Sequence, residues 1–163
     1  MNEQEVRLGK DPLYAGVFPR SYSHHPDFIW FIQERVTDIN LPINEWSQRI
    51  CDYFLPGRLP ISRGLDCDET DVEKLFLAMK YARSQVKSDL DLLYLEEDVI
   101  DEIKEIHQLL VDEGPPIWHR WSRALVKEDI AINDLRPANL GFSAIKDETG
   151  INPPIIHDAS IFM

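Results

Sequence analysis

The order in which hydrophobic periods follow one another restricts this chain's fold more than any other feature. Residues 17–23 and 28–36 are rich in aromatic and β-branched side chains, the pattern of strands. His24-His25-Pro26-Asp27 between them reads as a turn, so the stretch predicts a hairpin. Phe28-Ile29-Trp30-Phe31-Ile32 is almost wholly apolar, which predicts a strand covered on both faces. After residue 42 the period becomes helical. Helices are expected at 43–54 with Ile43, Trp46, Ile50 and Tyr53 or Phe54 on one face, and at 69–87 with Val72, Leu75, Phe76, Met79 and Ala82 inward. Asp68 or Thr70 can cap the second. Two more are expected at 96–112, on Val99, Ile103, Ile106 and Leu110, and at 116–127, on Ile117, Trp121 and Leu125. A short helix at 2–9 is broken by Asp11-Pro12, and prolines and glycines make 55–65 a loop. Two short strands, 140–145 and 154–157, are joined by a turn at 146–150. Hairpin, helices, loop and hairpin succeed one another without interleaving, which predicts an α+β fold.

Charge and composition narrow the function classes. Lys and Arg number 17 against 29 Asp and Glu, a net charge of −12. Such a surface disfavours nucleic acid, whose phosphates need cations to displace counterions. It disfavours an anionic membrane for the same reason. No apolar run approaches the length of a membrane span, and residues 1–10 lack the apolar core of a signal peptide. Cys51 and Cys67 are the only cysteines, without metal-type spacing; the low count suits a reducing cytosol. The expectation is a cytoplasmic protein whose partner or substrate is a protein or a small molecule.

The residues that carry chemistry lie in the last quarter. Asn133-Asp134-Leu135-Arg136-Pro137-Ala138-Asn139 is followed by Ile155-Ile156-His157-Asp158. An Asp, an Asn five residues on, and a second Asp ending a short apolar run form the acid and amide pattern of phosphoryl-transfer sites. The first Asp can accept a proton from an attacking hydroxyl. The Asn oxygen and the second Asp are hard ligands suited to Mg²⁺.

On these residues the chain resembles the protein-kinase-like superfamily, particularly its atypical, phage-type and aminoglycoside-phosphotransferase-like members. The resemblance implies a kinase-like helical lobe (37–163) carrying the catalytic-type loop, with 1–36 as the remnant of a small β lobe and hinge. It implies Asp134 as base, Arg136 on the transferred phosphoryl group, Asn139 and Asp158 as Mg²⁺ ligands, and ATP as donor. It places Gln33 at the entrance to the adenine pocket and the backbones of Glu34 and Val36 against the base. Glu3 or Glu5 takes the place of the acid on the regulatory helix. The departures are specific. The chain has no Gly-x-Gly-x-x-Gly loop and no strand lysine before Glu3; Ile132-Asn133 stands for the usual His-Arg, and Ala159-Ser160 for Phe-Gly. Two readings follow: a kinase completed by the missing elements, or a pseudokinase-like interaction module.

The remaining polar features have simpler readings. His24 and His25 read as an exposed turn, because adjacent histidines do not readily converge on one ion. His107 and His119 read as surface residues, and His157 as structural. Glu96, Glu97, Asp98, Asp101, Glu102 and Glu105 read as a solvated helix face.

Overall fold

The computed structural model describes residues 2–60, 66–83, 92 and 95–157. It is mixed α+β, with five helices and two small antiparallel sheets among the described residues. None of these helices is long and apolar enough to cross a membrane. The chain divides into two compact units, 41–132 and a second formed by 1–40 with 133–163.

The first unit is helical. α2 (Ile43–Phe54), α3 (Glu69–Tyr81), α4 (Glu97–Glu113) and α5 (Trp118–Lys127) follow the expected periods closely. Two boundaries have a clear local cause. Asp68 accepts from the Asp71 N–H at 3.1 Å while Asp71 accepts from the Asp68 N–H at 3.0 Å, a reciprocal cap that starts α3. Gly114-Pro115-Pro116 stops α4, since proline has no N–H to continue the ladder. α3 packs against α2, α4 and α5. Its central position explains why every residue from Leu75 to Lys80 is buried, whatever its face. Phe54, Phe76 and Trp121 form the centre: Phe76 and Trp121 stack at 5.6 Å, and Phe54 meets Trp121 edge-on at the same distance. Ile103, Ile106 and Leu110 close it from α4, with Val99 only half-buried at the end of the stripe. The helix expected over 69–87 is seen to Tyr81; 84–87 lie outside the described residues.

His107 is not the surface residue expected. It is half-buried between Tyr81 of α3 and Trp118 of α5, with ring centroids 5.6 and 6.1 Å away. Burial lowers its pKa below the usual histidine value. His119 is exposed as expected, and its ring lies 4.0 Å from that of Trp118.

The second unit holds α1 (Asn2–Lys10) and both sheets. β1 (Ser21–His24) and β2 (Phe31–Gln33) pair antiparallel, with an irregularity between Ser21 and Ser23. α1 packs on this pair and buries Val6 and Leu8. The approach is close at Gly9, where an added Cβ would stand 2.3 Å from the Pro19 carbonyl oxygen. The other sheet has the order β3 (Val36–Thr37), β4 (Leu140–Ser143), β5 (Pro154–Ile156), all antiparallel.

Two strand expectations need correction. Residues 28–32 are not covered on both faces: Ile29 is 71% exposed, and Trp30 and Ile32 are about half exposed. Among the described residues α1 is the main element packed on this two-stranded sheet, which lacks the second layer a wholly apolar strand requires. Nor does one strand run through to residue 36. Glu34 interrupts it by turning its carboxylate inward, and Val36–Thr37 joins the other sheet.

Candidate functional site

The Asp134–Asn139 segment begins in a 3₁₀ turn, Ile132–Asp134, and closes on itself. The Asn139 side-chain amide donates to the Asp134 carbonyl at 2.8 Å, and the Arg136 N–H donates to the same oxygen at 3.1 Å. The N–H groups of Asn139 and Leu140 both reach the Arg136 carbonyl at 2.9 Å. Asp-x-x-Pro-x-Asn favours such a turn locally, because short polar side chains substitute for backbone partners. Ile132, Leu135 and Leu140 are buried, while Asp134 and Asn139 are half-buried. Since Nδ2 of Asn139 is committed to Asp134, its Oδ1 is the atom suited to a hard cation.

Two backbone bonds place this turn. The Asn40 N–H donates to the Pro137 carbonyl at 3.0 Å, which ties it to the turn that follows β3. The His157 N–H donates to the Asn139 carbonyl at 3.0 Å, so the residue before Asp158 lies directly beside Asn139. Asp158 itself falls outside the described residues. The Arg136 side chain is exposed, and its Nε donates to the Asn133 carbonyl of the same turn. Among the described residues no group of three or more His, Cys, Asp or Glu side chains gathers to hold a metal.

The residues expected against a nucleotide base separate by role. The Glu34 N–H is committed to the Arg20 carbonyl at 2.7 Å. Its buried carboxylate accepts from the Arg20 N–H at 3.2 Å and from the Ser143 hydroxyl, with the Arg20 guanidinium 3.9 Å away. Glu34 is thus a fastener between the sheets of this unit. Val36 stands otherwise. The Ala144 N–H donates to the Arg35 carbonyl at 3.1 Å, and Val36 is the register partner of Ser143. Antiparallel ladders alternate, so Val36–Ser143 is a non-hydrogen-bonded pair whose backbone groups on β3 point away from β4. β3 is the sheet edge, and Val36 therefore presents one donor and one acceptor along that edge. Gln33 pairs with Ser21 and lines a pocket of about 10 Å³ with Glu5 and His157, between apolar Leu8, Phe18, Pro19 and Ile156. That is room for a single water.

Ser143 was not foreseen. Its hydroxyl donates to Glu34, which stands 109 residues away in sequence, and its carbonyl accepts from the Asn152 amide at 2.8 Å. A serine in a strand carries no mark of such long-range pairing. Gly141 has a legible reason only in three dimensions: a Cβ there would stand 2.8 Å from both the Thr37 carbonyl and Val36 Cγ1. No protein-family model, no curated protein and no solved structure matches this chain.

Proposed function

We propose that the chain is a kinase-like module that binds Mg²⁺–ATP at the Asp134–Asn139 turn and transfers phosphoryl groups when a glycine-rich loop and a strand lysine are supplied to it. One observation carries this reading: the His157 N–H bonds the Asn139 carbonyl, which sets the chain leading into Asp158 alongside the amide ligand. Asn139 Oδ1 and the Asp158 carboxylate would then hold the metal, Asp134 would accept the proton of an attacking hydroxyl, and Arg136 would meet the phosphoryl oxygens. The edge donor and acceptor of Val36 would meet the base, as one residue's backbone can do whatever its side chain. A bound Mg²⁺ supplies charge neutralisation for the transferred group.

The alternative is a pseudokinase-like module that keeps the scaffold and binds a protein. A glycine-rich loop and a strand lysine position the phosphates, and positioning is most of phosphoryl-transfer catalysis, so this reading holds wherever neither is supplied.

The test is thermal unfolding of the chain with Mg²⁺ plus ATP, beside Asn139→Ala and Asp158→Ala. A nucleotide at 100 times its dissociation constant stabilises a fold by about 2.7 kcal/mol. The expected result is a Mg²⁺-dependent rise in melting temperature, absent from both variants. No rise in the unaltered chain would overturn the nucleotide reading and leave the protein-binding one.

A further inference from the structure

The chain's only two cysteines are 16 residues apart in sequence, yet they lie within reach of one another. Both are free and buried. Cys51 sits on α2, and Cys67 directly precedes Asp68, the cap of α3. The Cys67 backbone is held there: its N–H donates to Gln48 Oε1 at 3.0 Å, and Gln48 Nε2 donates to Asp52 at 2.9 Å. Gln48 and Cys51 stand three residues apart on α2, so this bond brings Cys67 to the helix face that carries Cys51.

We propose that Cys51 and Cys67 are an oxidation-dependent staple, closed to a disulfide by a small disulfide oxidant such as oxidised glutathione and opened by thiols. The Cys67 thiolate attacks one glutathione sulfur and releases the first glutathione thiol. Cys51 then loses its proton to water and displaces the second from the mixed disulfide. Two S–H bonds are lost, one S–S bond forms within the chain, and two electrons reduce glutathione disulfide to two thiols. The staple ties α2 to the start of α3 and closes the 52–66 loop, which restricts the unfolded chain more than the folded one. Burial, followed by the Asp71 and Asp52 carboxylates, pushes the Cys67 thiol up to about 11 against the lowering influence of the neighbouring Cys51. Burial pushes Cys51 up as well. Closure is therefore slow at neutral pH and quickens as pH rises.

The test treats the full native chain with oxidised glutathione at mildly alkaline pH, followed by non-reducing peptide mapping and thermal unfolding. The expected product is a monomer lighter by two hydrogen atoms, with the 51 and 67 peptides linked. Its melting temperature should rise by several degrees and return on adding a reductant. Cys67→Ser should show neither change. If that variant does not fold, reversibility in the unaltered chain decides the matter. Stable glutathione adducts, disulfide-linked dimers, or thiols that stay reduced until the protein is denatured would each overturn the proposal.

Discussion

Asn139 stands at the point where local turn chemistry and proposed function meet. Its amide nitrogen closes the turn and its carbonyl holds the strand that leads to Asp158. Replacing it with Ala removes one half-buried hydrogen bond, worth about 1 kcal/mol, so denaturant unfolding should show a modest loss of stability. On the proposed reading, the response to Mg²⁺–ATP should vanish altogether. This residue was legible because Asp-x-x-Pro-x-Asn advertises a turn whatever surrounds it. His107 was not, since its environment comes from Tyr81 and Trp118 on other helices. Its burial has a pH consequence. The folded pKa lies below the unfolded value of 6.5, so the unfolded chain binds more protons between the two. The stability it contributes is fully present above pH 6.5 and is lost as pH falls from there through the folded value. Melting temperatures measured on both sides of pH 6.5 should fall on the acid side, and His107→Gln should flatten that dependence.

At the scale of elements, the helices were largely legible because their periods are local, although the helix expected over 69–87 is seen only to Tyr81. Asp68 and Asp71 cap α3 within one turn of chain, and Asp68→Ala should cost about 1 kcal/mol in denaturant unfolding. The sheets were less legible. The hairpin of β1 and β2 follows from its own turn, whereas Val36–Thr37 pairs with Phe142–Ser143 across the whole helical segment. Nothing in a two-residue strand announces a partner that distant. The absence of a side chain at 141 is the one trace of it. Gly141→Ala would force a Cβ against the Thr37 carbonyl and Val36, an overpacking cost of about 1–3 kcal/mol. The exchange of the Thr37 amide should accelerate in that variant, as its bond to Phe142 weakens. The exposed apolar residues of the first hairpin mislead for the opposite reason: hydrophobicity alone does not say whether a covering layer exists.

For the molecule as a whole, α+β was readable from the order of periods, while the grouping of elements was not. Long-range pairing gathers 133–157 with the N-terminal residues, and no local pattern announces such a grouping. The helical unit carries its own centre in Phe54, Phe76 and Trp121, all at most 1% exposed. Trp121→Ala should therefore cost about 3–5 kcal/mol, read as a large drop in denaturation midpoint. Residues 41–132 expressed alone should unfold cooperatively by circular dichroism; a featureless melt would show that their core depends on the rest of the chain. The Asn40–Pro137 bond holds the two crossings into that segment close together within the other unit. Seen from the gene, helices α2 to α5 are one stretch of codons set between neighbouring points of a scaffold. Such a stretch can be lengthened, trimmed or exchanged while the reading frame on either side goes on encoding the same strands.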